Sequence, residues 1–241
     1  MKKYIIISLV VLISMVFSFA FIYLKSTITN NDNTIIGVID QIEGTMPDNP
    51  VEYIQNELKN KDIKGILEIP GTDYKTVVMQ SKDNNYYLRK GVNKKYSRGG
   101  TPFLDYRINI DESKKLLIYG HNSKYIDMPF KILENYYDKN YYNEHKYITL
   151  TSTKKIYKYE IFSVYVEPSD WSYLDVKFKT KYTYYKHLQM LKKKSMYNTG
   201  VEISKEDDIL ILQTCSTKKE YQKYQKKFLL IVAKKVEELD I

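Results

Sequence analysis

Cys215 is the only thiol in 241 residues, and it closes the apolar run Asp207-Asp-Ile-Leu-Ile-Leu-Gln-Thr-Cys-Ser216. A lone cysteine forms no internal disulfide, so its sulfur either packs or reacts. Nucleophilic chemistry needs a base to take the thiol proton, and the chain offers three histidines. His121 follows the apolar stretch Lys115-Leu-Leu-Ile-Tyr119 and lies in Tyr119-Gly-His-Asn122, where glycine frees the backbone to turn and present the ring. His145, in the polar stretch Asn143-Glu-His-Lys146, reads as solvated surface. His187 falls inside a helical pattern and reads as packing or exposed helix. His121 is therefore the candidate partner. Sequence separation decides nothing here, because nucleophile and base meet in space.

The elements that must position this pair are mostly strands. Pro50 to Asn60 opens on proline and repeats Val51, Ile54 and Leu58 at helical spacing. From Gly65 the period shortens. Ile66–Ile69 stops at Pro70-Gly71, Lys75–Met79 follows, and Thr101–Leu104 comes after Gly99-Gly100. Lys115–Tyr119 reads as a short buried strand, Met128–Tyr137 as a short helix, and Lys146–Leu150 with Ile156–Val166 as a hairpin. Tyr182–Lys194 is a second helix, with Lys192-Lys193-Lys194 as its solvated end. Ile209–Thr214 and Phe228–Ala233 are late apolar strands. Many short strands with few helices argue for a closed barrel or sandwich rather than βαβ units.

Tyr4 to Leu24 carries no charge and follows Lys2 and Lys3. As a helix it would span roughly 31 Å at about 1.5 Å per residue, enough for a bilayer core. The preceding lysines favour an inside amino terminus and a translocated remainder. A cleaved signal peptide is the competing reading, disfavoured by the length of the run and by the lack of a small-x-small site. The organisation expected is residues 1–3 cytoplasmic, 4–24 an anchor, 25–49 a polar stalk and 50–241 one catalytic domain on the outer face. The net charge of +9 suits anionic lipid or a polyanionic wall. Nucleic acid is a poor fit, because the charge is scattered lysine with Arg89, Arg98 and Arg107 as the only arginines. Neither a Cys–His cluster nor a run of spaced carboxylates is visible, so neither a metal nor another cofactor is expected.

Ile211-Leu-Gln-Thr-Cys215 resembles the TLxTC signature of sortases, with isoleucine at its first position, and Tyr119-Gly-His-Asn122 resembles their histidine segment. Val78–Leu88, Gly100–Arg107 and Glu167-Pro-Ser-Asp-Trp-Ser-Tyr-Leu174 are similar to the corresponding runs of class B sortases, so the resemblance covers about Val51 to Val236. It implies a mainly β fold: an eight-stranded sortase barrel with amino-terminal helices and a helix between the sixth and seventh strands. It also implies a membrane-anchored transpeptidase that cleaves NPxT-type signals of surface proteins and joins them to a peptidoglycan amine, free or on a lipid-linked precursor. Cys215 would be the nucleophile and His121 the acid and base. The family's arginine at the start of the last strand has no counterpart, and Lys227 is the best substitute, with Lys226 next. Asn84, Leu88, Ser169, Tyr173, Leu174, Gln213 and Ser216 would line the signal groove, although Leu88 and Leu174 could equally be core. Asp105 and Arg107 read as a turn-stabilising pair. A purely hydrolytic protease and a non-catalytic wall-binding barrel remain the alternatives.

Overall fold

A computed structural model of the chain describes residues 47–241. The expected anchor and almost all of the expected stalk lie outside these residues. Among the described residues no helix is long and apolar enough to cross a membrane.

Eight strands close into one barrel in the order β1-β2-β3-β4-β7-β8-β6-β5. They are β1 (Ile63–Glu68), β2 (Lys75–Met79), β3 (Phe103–Leu104), β4 (Lys115–Tyr119), β5 (Tyr147–Thr151), β6 (Lys155–Glu167), β7 (Ile209–Cys215) and β8 (Phe228–Asp240). The helices are α1 (Pro50–Glu57), α2 (Lys139–Glu144) and α3 (Lys181–Lys193), with 3₁₀ turns at Tyr86–Leu88, Lys131–Tyr137, Trp171–Leu174 and Lys219–Tyr221. The stretch read as a helix from Met128 is thus a 3₁₀ segment, and α3 lies between the sixth and seventh strands as expected.

β7 is central. It pairs in parallel with β4 and antiparallel with β8, and Ile209 to Leu212 are all fully buried. A strand covered on both faces reads as a continuous apolar run rather than an alternation. β8 pairs with β6 along its whole length, but only Leu229 to Ala233 are buried, and its distal half runs exposed. That distal half is polar, which hid the strand's true length in the sequence.

The main core fills the barrel and reaches α3 through Tyr184, Leu188 and Leu191. A second cluster seats α1, with Val51 and Ile54 against Ile63, Ile66, Val77, Met79, Tyr87 and Phe103. Asn49 caps α1 by accepting the Glu52 N–H (3.0 Å) and donates its amide to Thr153 O (2.7 Å), which ties the start of α1 to the β5–β6 turn. Several of the chain's 25 tyrosines are buried rings whose hydroxyls find acceptors, such as Tyr157 on Asp111 Oδ1 (2.9 Å) and Tyr184 on Asp207 O (2.9 Å).

Candidate active site

The parallel pairing of β4 and β7 sets Tyr119 opposite Gln213. Two residues beyond each stand His121 and Cys215, and neighbouring strands lie about 4.8 Å apart, so the ring and the thiol emerge from one edge of the barrel. Three bonds stitch the two strand ends together. The Gly120 N–H donates to Gln213 O (3.0 Å), Thr214 Oγ1 donates to Gly120 O (2.8 Å), and Asn122 Nδ2 donates to Cys215 O (2.9 Å). Gly120 is required sterically, because a Cβ there would fall 2.4 Å from Phe130 Cδ2.

His121 Nε2 donates to Leu88 O (2.9 Å), which leaves Nδ1 to exchange protons with a ligand. The Tyr86–Leu88 turn comes that close because Gly100, at φ +61°, packs under it. A Cβ on Gly100 would lie 2.4 Å from Tyr87 O and 2.7 Å from Leu88 O. Burial pulls the His121 pKa below 6.5, the Leu88 carbonyl counters this, and the Arg89 charge lowers it further. Burial by the surrounding protein pushes the Cys215 thiol above 9.0 even though the residue sits at the exposed rim, and the Lys227 charge opposes that shift. Both shifts favour a neutral thiol beside a neutral imidazole at rest.

The other histidines lie elsewhere. His145 packs its ring on Tyr141 and faces Pro70 O, half-buried rather than solvated. His187 is buried on α3.

The expected groove residues have unequal structural roles. Tyr173 is buried and its hydroxyl donates to Gln213 Oε1 (2.8 Å), and Gln213 shares a face of β7 with Cys215. Leu88 and Leu174 are half-buried, each packed on a core cluster. Ser169 is exposed, on a bend where Glu167 Oε1 accepts the Ser169 and Asp170 N–H groups while Lys194 grips Glu167 (2.6 Å). The end of the lysine run is therefore ion-paired rather than simply solvated. The Ser216 hydroxyl is buried against Tyr137 OH (2.6 Å). Asn84 Nδ2 donates to Asp105 Oδ2 (2.9 Å) while its Oδ1 accepts the Tyr106 N–H (3.0 Å). Asp105, with no solvent exposure, also takes a two-pronged grip from Arg107 (2.9 and 2.8 Å) and the Tyr119 hydroxyl (2.7 Å), the turn-stabilising pair read from the sequence.

The family model described as Sortase domain matches residues 67–236. The chain belongs to the sortase family. Sortase B of Listeria monocytogenes is 38% identical over 166 residues, 68% of this chain and 67% of the relative. Sortase B of Staphylococcus aureus is 31% identical over 157 residues, 65% and 64%. The alignments thus span about two thirds of each relative. Among solved structures, a Staphylococcus aureus sortase B–substrate complex matches with a TM-score of 0.75 at 25% identity, covering 87% of this chain and 95% of that one. Clostridium perfringens sortase B matches at 0.67 and 32%, covering 76% and 100%. Sortases are cysteine transpeptidases, and the closed eight-stranded barrel is theirs.

In this sortase the residue paired with Cys215 across the β7–β8 ladder is Phe228. Residues directly opposite on antiparallel strands share a face, so an aromatic ring stands where a donor to the reacting carbonyl would be useful. Phe228 stacks edge-on to Trp171 at 5.5 Å. Lys227, one residue earlier, gives its carbonyl to the Ser216 N–H (2.9 Å) and its ammonium to Tyr224 O (3.2 Å), near enough for its charge to be felt at Cys215. Lys226 lies over Trp171 at 5.6 Å. Sequence reasoning gave no role to Asn122, Phe228 or Tyr137. Asn122 was visible beside His121, but its reach to Cys215 O depends on the β4–β7 pairing.

Proposed function

We propose that this sortase cleaves an NPxT-type sorting signal after threonine and joins the threonine to a cell-wall amine. What carries the reading is the parallel register that pairs Tyr119 with Gln213, two residues short of both His121 and Cys215. The Cys215 thiolate attacks the threonine carbonyl carbon, and the C–N bond breaks as imidazolium donates a proton to the departing amine. A thioester links enzyme and threonine. The incoming amine attacks that carbon, gives its proton to His121, and the thiolate leaves. Peptide-bond energy is kept in the thioester, so no nucleotide is consumed.

Asn84, Leu88, Ser169, Tyr173, Leu174, Gln213 and Ser216 form the signal groove in this reading. Lys227 acts by charge, holding the thiol below the value burial alone would set. The resemblance to a sortase B solved with substrate and to one complexed with triglycine supports a peptide signal and an amine acceptor. Residues 4–24 anchor the chain, with residues 1–3 inside, 25–49 as stalk and the domain from residue 50 outside. Its protein partners are surface proteins carrying the signal, and the acceptor amine belongs to peptidoglycan or its lipid-linked precursor.

Incubating the protein with an NPxT peptide and an amine, followed by mass spectrometry, yields a ligated product that Cys215→Ala abolishes. Hydrolysed peptide alone, unchanged by added amine, would instead identify a protease, and no turnover would leave a binding barrel.

A further inference from the structure

The deepest unexplained charge in the domain is Lys115, the first residue of β4 and 3% exposed. Its ammonium donates to Tyr173 O (2.6 Å), Asp175 O (2.7 Å) and His187 Nε2 (2.9 Å), which uses all three of its hydrogens. An ammonium only donates, so His187 accepts through an unprotonated Nε2. Burial and the Lys115 charge push the His187 pKa down to about 3, in keeping with a neutral ring. The carbonyl between the two backbone acceptors, Leu174 O, accepts Arg107 Nη2 (3.1 Å). Three consecutive carbonyls are therefore held by Lys115 and Arg107 from elsewhere in the fold, and burial brings the Lys115 pKa down from 10.5 to about 7. Among the described residues no carboxylate bonds directly to Lys115, and burying an unpaired ammonium is costly. Packing alone is met more cheaply by an apolar residue.

The segment held this way includes the 3₁₀ turn Trp171–Leu174 and lies outside the strands of the barrel. It carries Tyr173, whose hydroxyl reaches Gln213 two residues before Cys215. A pocket of about 270 Å³ borders Lys115 together with Val176 and Phe178, the chain just past the clamped carbonyls. Arg107 in turn is fixed by Asp105, which also holds Asn84, so one network reaches both sides of the groove.

We propose that Lys115 is a positioning residue for the sorting-signal groove, setting the Tyr173–Asp175 wall by clamping its backbone from inside the barrel. This rests on the transpeptidase reading and extends it to a residue that touches no substrate. The test is Lys115→Met in the full chain, which keeps the apolar stem and removes the donors. Loss of charged hydrogen bonds predicts that the peptide KM rises about tenfold while kcat stays within about threefold. The amine KM and the alkylation rate of Cys215 stay unchanged. Trp171, the only tryptophan, becomes more accessible to acrylamide quenching. Unchanged quenching, an unchanged peptide KM, or kcat and alkylation falling in parallel with KM would overturn the proposal. Wild-type protein without turnover counts against the transpeptidase reading and leaves quenching to decide this one. If Lys115→Met does not fold, Arg107→Lys, which loses the fork that holds Leu174 O, is read by the same split, and a wild-type KM there overturns it.

Discussion

Replacing Gly120 by alanine tests whether the β4–β7 junction governs catalysis. The added Cβ would lie 2.4 Å from Phe130 Cδ2, 2.5 Å from Cγ and 2.9 Å from Cε2. Carbon atoms normally sit about 3.5–4.0 Å apart, so the overlap exceeds roughly 1 Å. Phe130 is fully buried in the main core and cannot swing away. Gly120 is itself bonded to β7 through both its N–H and its carbonyl, while the Phe130 N–H donates to His121 O (3.0 Å). Relief therefore displaces the backbone that carries the imidazole. Overpacking of this kind costs about 1–3 kcal/mol of stability. A displacement near 1 Å at a catalytic group costs up to about 100-fold in rate. Ligation rates and thermal midpoints of Gly120→Ala and of Gly120→Ala/Phe130→Ala, which removes every clashing ring atom, check both parts. The single variant is slow and modestly destabilised, and the double variant, with ring atoms removed, regains rate. A Gly120→Ala enzyme ligating at the wild-type rate refutes the steric reasoning.

Three further outcomes follow from the same geometry. Because burial raises the Cys215 thiol and lowers His121, the reactive thiolate–imidazolium pair is a minor species. kcat/KM should then trace a bell with its acid limb below pH 6.5 and its alkaline limb above pH 9.0, and iodoacetamide should alkylate the thiol more slowly than a free cysteine at pH 7. Fast alkylation with an apparent pKa under 7 contradicts this. For Asp105, burial alone would raise the pKa, but Arg107, Tyr119 and Asn84 outweigh it and bring it to about 2 from 3.8. A depressed carboxyl stabilises the fold above its unfolded value, so about 2 kcal/mol is present above pH 4 and lost as pH falls from 4 toward 2. Urea melts of Asp105→Asn at pH 7 and pH 2.5 should differ most from wild type at the higher pH, with the gap narrowing at the lower. Finally, Phe228→Arg places a guanidinium opposite Cys215, and a donor to the oxyanion can contribute about 10²-fold, so kcat should rise by about tenfold or more. A kcat no higher than wild type shows that this position does not limit the reaction.

Much of the site was legible in the chain because its signals are local. Lys75–Met79 and Lys115–Tyr119 were bounded correctly as strands, since apolar side chains run up to sharp glycine or polar stops. Cys215 and His121 stood out as a lone thiol and a histidine after glycine, each just past a buried strand, and the neighbouring strings carried the family. β8 was read only to Ala233, because Lys234 to Asp240 are mostly polar and pair with β6 at the surface, through backbone bonds and ion pairs such as Lys155–Glu238 and Lys158–Glu237 rather than through buried apolar side chains. Lys115 read as the edge of a strand, yet it is among the most buried charges in the domain.

The sequence by itself determined which residues are candidates for chemistry and which stretches are apolar strands, because thiol chemistry and side-chain alternation belong to single residues and their immediate neighbours. Only the tertiary structure decided that β4 runs parallel beside β7, that Phe228 rather than a lysine pairs with Cys215, and that Lys115 bonds the Tyr173 and Asp175 carbonyls from a buried position. These are pairings between segments far apart in the chain, and their register is set by closing the barrel, which no local window of residues encodes.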